Sequence, residues 1–195
     1  MTGLFRTPRL FQSIRERAAP YLRTFPSVKV WIPACATGEE VYATAIVLRE
    51  TNILARSMLY ATDADEAAIQ TARQALYPLD AVAASAANYQ RAGGKASLDE
   101  YYTVEGPQAR IRPLDAQNRV HLTFGRHNLD TDSTINEFQL IVCPNRLNLS
   151  SGVLSLLHHS LCRSGLLALS VGDHQLVLPK GHYDTFAPDI LKKMS

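Results

Sequence analysis

A strand-like and a helix-like hydrophobic pattern follow one another near the start of the chain. Residues 28–32 form a short run of β-branched and aromatic side chains, which is typical of a buried strand, and Pro33 ends the run. Residues 34–38 all carry small side chains. From Glu39 onward, apolar side chains recur at positions 41, 42, 45, 46 and 48, which is the period of a helix. The pattern predicts a strand, a small-residue loop and a helix, the first unit of a nucleotide-binding α/β fold.

A second unit of the same kind comes next. Residues 58–62 form another short apolar strand, which ends in Asp63, and a helix follows with apolar side chains at 67, 69, 72 and 75. Nucleotide-binding folds grip ribose hydroxyls with an acidic residue at the end of the second strand, about 20 residues past the glycine loop. We therefore expect Asp63 to accept hydrogen bonds from two ribose hydroxyls; a second helix cap is the alternative role. Asp65 is the expected cap of the helix.

The loop between the first strand and its helix has neither of the common phosphate-binding sequences. It lacks both the Gly-Lys-Ser/Thr of a Walker A loop and the spacing G-x-G-x-x-G. Glu39 and Glu40 stand at the helix start instead, and their carboxylates would repel a pyrophosphate. A ligand with hydroxyls or a cationic centre is expected, and S-adenosylmethionine has a ribose, an amino acid group and a sulfonium. A plain helix cap is the alternative interpretation of the loop.

Further apolar segments complete the predicted fold. We expect three short strands at 101–104, 109–112 and 119–124, a buried strand at 138–142, a helix at 153–162 ended by Gly165, and a strand at 166–171. The resulting class is α/β, with a central, mostly parallel sheet, helices on both of its faces and a small antiparallel β insertion.

Composition narrows the function classes. The 195 residues fit one domain with 46% hydrophobic and 19% charged side chains, and the net charge of +2 is too small to indicate a nucleic-acid or membrane partner. No apolar run is long enough to span a bilayer and no signal peptide is visible, so we expect a cytoplasmic protein. Its three cysteines are expected to be reduced. No metal site is expected, because the one close pair, His158 and His159, is adjacent on a helix.

Two motifs resemble a known family. Residues 31–42 (WIPACATGEEVY) and 60–66 (YATDADE) look like the catalytic domain of CheR-type protein-glutamate methyltransferases, which modify chemotaxis receptors, and the variety in CheB/CheR fusion proteins is closest in wording. The resemblance runs from Thr2 to about Asp173. It implies a Rossmann-like methyltransferase fold, S-adenosylmethionine as cofactor and a small β subdomain at about 98–124 within a single domain of 1–195. The family's N-terminal helical domain is missing, which suggests an excised or shortened domain.

The resemblance also implies site residues. Thr2-Gly-Leu-Phe-Arg6 is similar to the family's Thr-x-Phe-Phe-Arg motif, which places Arg6 near the site of methyl transfer, where an Arg can orient a carboxylate. Glu39 stays open, because only one carboxylate of the Glu39–Glu40 pair needs to face the ligand. Asn128 would bind the adenine through its amide; a turn residue is the alternative. The positions expected to hold the cofactor are Thr2, Arg6, Glu40, Asp63, Asn128, Leu129 and Asn145.

Two positions depart from the family. After the strand at 138–142 the family has Cys-Arg-Asn-x-x-Ile-Tyr-Phe, whereas this chain has Pro144 in place of the Arg and Leu149 in place of the Tyr. These changes remove a cation and a hydroxyl from the expected reaction site. Arg146 is a candidate replacement for the cation.

Three functions remain open. The first is methyl transfer to glutamate side chains of a chemoreceptor or another signalling protein, since a carboxylate needs positioning and no general base. The second is a weakened or inactive domain that binds S-adenosylmethionine or S-adenosylhomocysteine and acts in signalling or as a scaffold, which Pro144 and Leu149 favour. The third is methylation of a different nucleophile, which would need a nearby base that the sequence does not identify.

Overall fold

The computed structural model describes residues 3–112, 121–143, 149–169 and 181–194. The strands within these ranges, in chain order, are β1 (Val28–Pro33), β2 (Ser57–Asp63), β3 (Leu76–Pro78), β4 (Tyr102–Glu105), β5 (Gln108–Ile111), β6 (His121–Arg126), β7 (Phe138–Cys143), β8 (Leu161–Leu169), β9 (Tyr183–Ala187) and β10 (Ile190–Lys193).

The helices begin with a continuous segment in which a π-helical stretch (Ile14–Ala18) joins two short α-helices. In chain order the α-helices are α1 (Pro8–Ser13), α2 (Ala19–Leu22), α3 (Glu39–Glu50), α4 (Glu66–Gln74), α5 (Leu79–Ala84), α6 (Ala86–Arg91) and α7 (Ser151–Ser160). Two 3₁₀ turns (Leu54–Arg56 and Leu98–Tyr101) precede β2 and β4.

Seven strands form one sheet in the order β6-β2-β1-β7-β8-β10-β9. The pairs from β6 to β8 are parallel, and β10 pairs antiparallel with β8 and with β9. A second sheet has the order β3-β5-β4 and is antiparallel throughout. The predicted class, a mostly parallel sheet with a small antiparallel addition, is confirmed.

Helices cover both faces of the large sheet because successive strand side chains point to opposite sides. On β1, Val30 and Ile32 join the larger core, into which α1, α2 and α3 also pack. Trp31, between them, points to the other face and packs with side chains of α7. We call this second group the Trp31 cluster; it consists of Trp31, Phe138, Ile141, Cys143, Val153, Leu157, Leu161, Leu167 and Leu169.

The expected third strand of the small sheet was wrong. The sequence pattern predicts that residues 119–124 belong to the antiparallel insertion, but β6 pairs in parallel with β2, with Met58 opposite His121 and Asp63 opposite Arg126. The third strand of the small sheet is β3 instead. A short alternating segment fits either sheet equally well, because its pattern shows which face is buried and leaves the neighbouring strand undefined.

The expected end of the last long helix was also wrong. Gly165 was expected to terminate it, whereas α7 ends at Ser160 and Gly165 lies inside β8. The pairing of β7 with β8 shifts register there, and a Cβ on Gly165 would lie 2.9 Å from the carbonyl oxygen of Phe138. The glycine therefore serves close approach of two strands at an irregularity, a common role of glycine in sheets.

Within the described ranges, no helix has the length and apolar character needed to cross a membrane. The same residues include no group of three or more His, Cys, Asp or Glu side chains arranged to hold a metal ion. The thiols of Cys35, Cys143 and Cys162 are free.

Candidate cofactor site

The candidate site lies where the parallel strands end. Pro33 at the end of β1 pairs with Thr62 on β2, and Asp63 at the end of β2 pairs with Arg126 at the end of β6. The loops that follow these strands therefore meet at one edge of the sheet. In open α/β sheets this carboxyl edge is where ligands bind.

The small-residue loop after β1 has an unusual backbone. Ala34 and Ala36 have positive φ angles of 49° and 45°, and Gly38 has a φ of 92°. The backbone N–H of Cys35 donates to the carbonyl of Thr62 at 2.9 Å, and that of Gly38 donates to the carbonyl of Cys35 at 2.9 Å. Positive φ is costly for alanine, and such strain is concentrated at ligand-binding turns.

Asp63 holds this loop in place. Its Oδ2 accepts the backbone N–H of Ala36 at 2.7 Å, and its Oδ1 accepts that of Asp65 at 3.0 Å. A carboxylate has about four lone-pair sites, so hydrogen-bonding capacity remains for ligand hydroxyls. The helix cap is Asp65, as predicted, since its side chain accepts the N–H of Ala67 at 2.8 Å. The ribose role of Asp63 stays a prediction.

Two buried carboxylates open helix α3. Oε2 of Glu39 accepts the Thr37 hydroxyl at 2.7 Å, while its Oε1 is buried and has no hydrogen-bond partner among the described residues. Oε1 of Glu40 accepts Nε of Arg6 at 3.4 Å. Burial raises the pKa of Glu40 to about 7, although the neighbouring Arg6 guanidinium opposes the rise. The helix N-terminus stabilises both negative charges.

Arg6 reaches Glu40 from a firmly anchored segment. The Phe5 ring is fully buried, with ring centroids 5.1 Å from Phe11 and 5.3 Å from Tyr89 in edge-on geometry. Phe5 has a φ of 55°, a strained value for a bulky residue. The Arg6 side chain, by contrast, is 33% exposed. The structure therefore brings Arg6 and Glu40 together, and their role in holding the cofactor stays a prediction.

The predicted adenine residues follow β6. The backbone N–H of His127 donates to the carbonyl of Asp63 at 2.9 Å, which ties this loop to the end of β2. Oδ1 of Asn128 accepts the N–H of Asp130 at 3.0 Å, so Asn128 does act as a turn residue. Leu129 packs against the Trp31 cluster. The loop lies at the expected edge, and adenine contact by Asn128 and Leu129 remains a prediction.

Two supporting residues were missed by the sequence analysis. His127 is buried, its ring lies edge-on to Trp31, and its Nε2 lies 2.9 Å from the carbonyl oxygen of Ser133. That contact requires a hydrogen on Nε2. The hydroxyl of Tyr77 donates to the carbonyl of Thr37 at 2.6 Å and so braces the loop from the small sheet. Neither residue belongs to a motif, and the contacts of His127 with Trp31 and of Tyr77 with Thr37 join segments distant in sequence.

Four residues of the sequence-based site fall outside the described residues: Thr2, Pro144, Asn145 and Arg146. Leu149, which stands where the family has Tyr, is partly buried and packs against the Trp31 cluster. An aliphatic side chain at this position offers no hydroxyl to a reaction site.

The charges at this edge fit S-adenosylmethionine. Among the described residues, the carboxylates of Glu39, Glu40 and Asp63 lie at the loop and the start of α3, and the cation Arg6 pairs with Glu40. An ammonium or sulfonium would reduce the excess negative charge, whereas a polyphosphate would increase it.

Comparisons with known proteins agree with this chemistry. A family model for the CheR methyltransferase SAM-binding domain matches residues 1–176. Cher3 of Pseudomonas putida, to which methyltransferase activity is ascribed, is 40% identical over 193 residues, covering 96% of this chain and 69% of that protein. The chemotaxis protein methyltransferase 2 of Pseudomonas aeruginosa is 32% identical over 82 residues, covering 41% of this chain and 29% of that protein.

Among solved structures, a SAM-dependent methyltransferase from Geobacter sulfurreducens in complex with S-adenosyl-L-homocysteine matches with a TM-score of 0.44 and 14% identity. The match covers 85% of this chain and 49% of that one.

The family model spans most of the chain, and its domain is one that binds S-adenosylmethionine, which is therefore the cofactor of this fold. The family model and the relative Cher3 agree: the chain belongs to the CheR methyltransferase SAM-binding domain family.

Proposed function

We propose that this protein is a CheR-type methyltransferase that transfers a methyl group to glutamate side chains of a chemoreceptor or another signalling protein. The observation that carries the proposal is the pairing of Arg6 with Glu40 at the start of α3, beside the loop that Asp63 holds. Arg6 is the cation with which the site can orient an acceptor carboxylate, because a guanidinium matches the two oxygens of a carboxylate.

Methyl transfer to a carboxylate requires few catalytic groups from the protein. When bound, S-adenosylmethionine supplies an electrophilic methyl group. The acceptor carboxylate is already a nucleophile at neutral pH, so the residues of the chain need only position it and exclude water. Arg6 would orient the carboxylate. The residues that would hold the cofactor are Thr2, Arg6, Glu40, Asp63, Asn128, Leu129 and Asn145.

We further propose that residues 1–195 act as one domain in the cytoplasm, where it would meet a protein acceptor. The chemotaxis methyltransferase among its relatives supports a receptor as the acceptor. The matched segment covers 29% of that relative, so the receptor assignment is carried over from this shared segment alone.

A second candidate function is a domain that binds S-adenosylmethionine or S-adenosylhomocysteine without efficient catalysis and acts as a signalling or scaffold element. Leu149 favours it, because this side chain packs into the Trp31 cluster where the family has Tyr. Pro144, in place of the family's Arg, adds to the argument.

Methyl transfer can be tested directly. The purified chain would be incubated with S-adenosylmethionine labelled in its methyl group and with the cytoplasmic fragment of a chemoreceptor. Glutamyl methyl esters release labelled methanol in alkali, which identifies the product class. Labelled methanol above a no-enzyme control supports the first function. If the wild-type chain is inactive and the double variant Pro144→Arg/Leu149→Tyr is active, the second function is supported.

A further inference from the structure

The loop after β1 is held against its own backbone preference. Ala34 and Ala36 have positive φ angles of 49° and 45°, which cost free energy for an alanine. Such a conformation persists only where neighbouring groups hold it in place. The supports of residues 34–38 therefore decide whether the loop keeps the shape in which we expect it to meet the cofactor.

Two of these supports come from the large sheet. The N–H of Cys35 donates to the carbonyl of Thr62 at 2.9 Å, and the N–H of Ala36 donates to Oδ2 of Asp63 at 2.7 Å. Both acceptors lie at the end of β2, which pairs directly with β1. The pairing of these two strands thus fixes the first half of the loop.

The second half of the loop is supported from the small sheet. The hydroxyl of Tyr77, on β3, donates to the carbonyl of Thr37 at 2.6 Å. Tyr77 is 5% exposed, and burial raises its pKa, so the hydroxyl stays protonated and remains a donor. A Cβ on Gly38 would lie 3.1 Å from the Tyr77 oxygen, which means that the glycine leaves room for this hydroxyl beside the loop.

Tyr77 is itself fixed by its neighbours. It pairs with Ala109 of β5 in the antiparallel small sheet, and the N–H of Ile111 donates to the carbonyl of Ala75 at 2.8 Å. The Tyr77 ring lies edge-on to that of Tyr42 on α3, with a centroid distance of 6.2 Å. Loss of the pairing between β3 and β5 would therefore release the donor that holds the loop.

We propose that Tyr77 is a positioning residue of the cofactor site, through which the small sheet keeps the loop after β1 in its cofactor-binding shape. Coupling between two sites is reciprocal, so cofactor binding should in turn stabilise the strand pairing of the small sheet. The inference rests on the expected contact between the loop and the cofactor. It does not depend on the identity of the methyl acceptor.

Tyr77→Phe tests the proposal, and Tyr42→Phe is the matched control. Tyr42 is 4% exposed, and its hydroxyl donates to the carbonyl of Ala72, also at 2.6 Å. Each substitution removes one buried hydroxyl from a carbonyl, so both should lower the free energy of unfolding in urea by similar amounts. Only Tyr77→Phe should weaken S-adenosylhomocysteine binding in titration calorimetry, by about three- to tenfold, whereas Tyr42→Phe should stay within about twofold of the wild type.

Hydrogen exchange gives a second readout, which a merely structural role of Tyr77 would not change. Saturating S-adenosylhomocysteine should slow the exchange of amides in residues 102–111 of the wild type by about the same three- to tenfold factor, because the coupling is reciprocal. In Tyr77→Phe the slowing should fall below about twofold, whereas Tyr42→Phe should keep it. The amides of residues 183–193, in the hairpin of β9 and β10, should exchange equally fast with and without the ligand.

Four results would overturn the role of Tyr77. They are an affinity of Tyr77→Phe equal to that of the wild type; an equal loss of affinity in Tyr77→Phe and Tyr42→Phe, which would attribute the loss to general destabilisation; ligand-induced slowing at 102–111 that is unchanged in Tyr77→Phe; and no binding by the folded wild-type chain. Normal binding and coupling without labelled methanol in the transfer assay would instead refute only the proposed function.

Discussion

Oδ2 of Asp63 accepts the backbone N–H of Ala36 at 2.7 Å and thereby joins the end of the second strand to the small-residue loop after the first. The contact holds Ala36 at a φ of 45°, where alanine is strained. Asp63 thus shapes the backbone of the loop in addition to any contact with ribose. Both roles depend on the same carboxylate, which matters for how a substitution there is interpreted.

Asp63→Ala should destabilise the folded chain by about 2 kcal/mol, since two backbone donors lose a charged acceptor, and should abolish detectable S-adenosylhomocysteine binding. Asp65→Ala is the control. It removes the cap of α4 at a cost of about 1 kcal/mol but leaves the loop intact. Urea unfolding and calorimetry measure the two effects. If Asp65→Ala also abolished binding, general destabilisation rather than the Asp63 carboxylate would explain the loss.

Gly38→Ala should lower the free energy of unfolding more than Gly106→Ala does. Both glycines have positive φ, at 92° and 61°, so each alanine pays a similar backbone cost of about 1–2 kcal/mol. A Cβ at Gly38 would also lie 2.8 Å from Cβ of Ala72, whereas one at Gly106 meets nothing within 4 Å. We expect an extra loss of about 1–3 kcal/mol at Gly38, measured by urea unfolding. Equal losses at both positions would mean that α4 moves aside freely.

Local sequence patterns predicted the local parts of the site well. The helix after the loop begins at Glu39 and the next helix is capped by Asp65, because capping and helical period depend on residues close together in the chain. The acidic residue at the end of the second strand indicated Asp63, and the family resemblance indicated Arg6; in the structure Asp63 contacts the loop after β1 and Arg6 contacts the start of α3.

Contacts between segments that are distant in the chain could not be predicted from the sequence. Nothing near His121 distinguishes pairing with β2 from pairing with β5, since strand partners are set by tertiary packing. His127 was passed over because its burial against Trp31 depends on a segment almost a hundred residues earlier. Gly165 was expected to end a helix, since a glycine that relieves crowding between strands has the same local signature as one that stops a helix.

A buried ion pair and a hydrogen bond on Glu50 link the N-terminal helical segment and α6 to α3. Nη2 of Arg15 lies 2.5 Å from Oε2 of Glu50, both side chains are about nine-tenths buried, and the Tyr89 hydroxyl donates to Oε1 of the same carboxylate. Glu50→Ala should cost about 3–5 kcal/mol, because it leaves Arg15 buried and unpaired.

A double-mutant cycle tests that reason. Arg15→Met combined with Glu50→Ala should cost clearly less than the two single losses added together, with a coupling of at least about 1 kcal/mol in urea unfolding. Tyr89→Phe, which removes the hydroxyl that donates to Glu50 but no charge, should cost about 1 kcal/mol. Strict additivity of the pair would show that each side chain acts through packing alone.

Glu40 should make folding stability depend on pH in the direction opposite to a salt-bridged surface acid. Burial raises its pKa from the ordinary 4.5 to about 7, so between these values the folded chain holds a proton that the unfolded chain has released. The contribution of Glu40 to the free energy of unfolding is therefore greatest below pH 4.5, falls as the pH rises to 7, and stays low above pH 7. The full difference is about 3 kcal/mol.

Glu40→Gln removes this dependence because the amide does not titrate. The stability of Glu40→Gln relative to wild type should therefore rise by about 2–3 kcal/mol between pH 4.5 and pH 8, as measured by urea unfolding at a series of pH values. Glu16→Gln, at an exposed position, should show no such trend. A stability difference for Glu40→Gln that is flat across this range would place the pKa of Glu40 near 4.5, and Arg6 would then hold the carboxylate fully ionised at neutral pH.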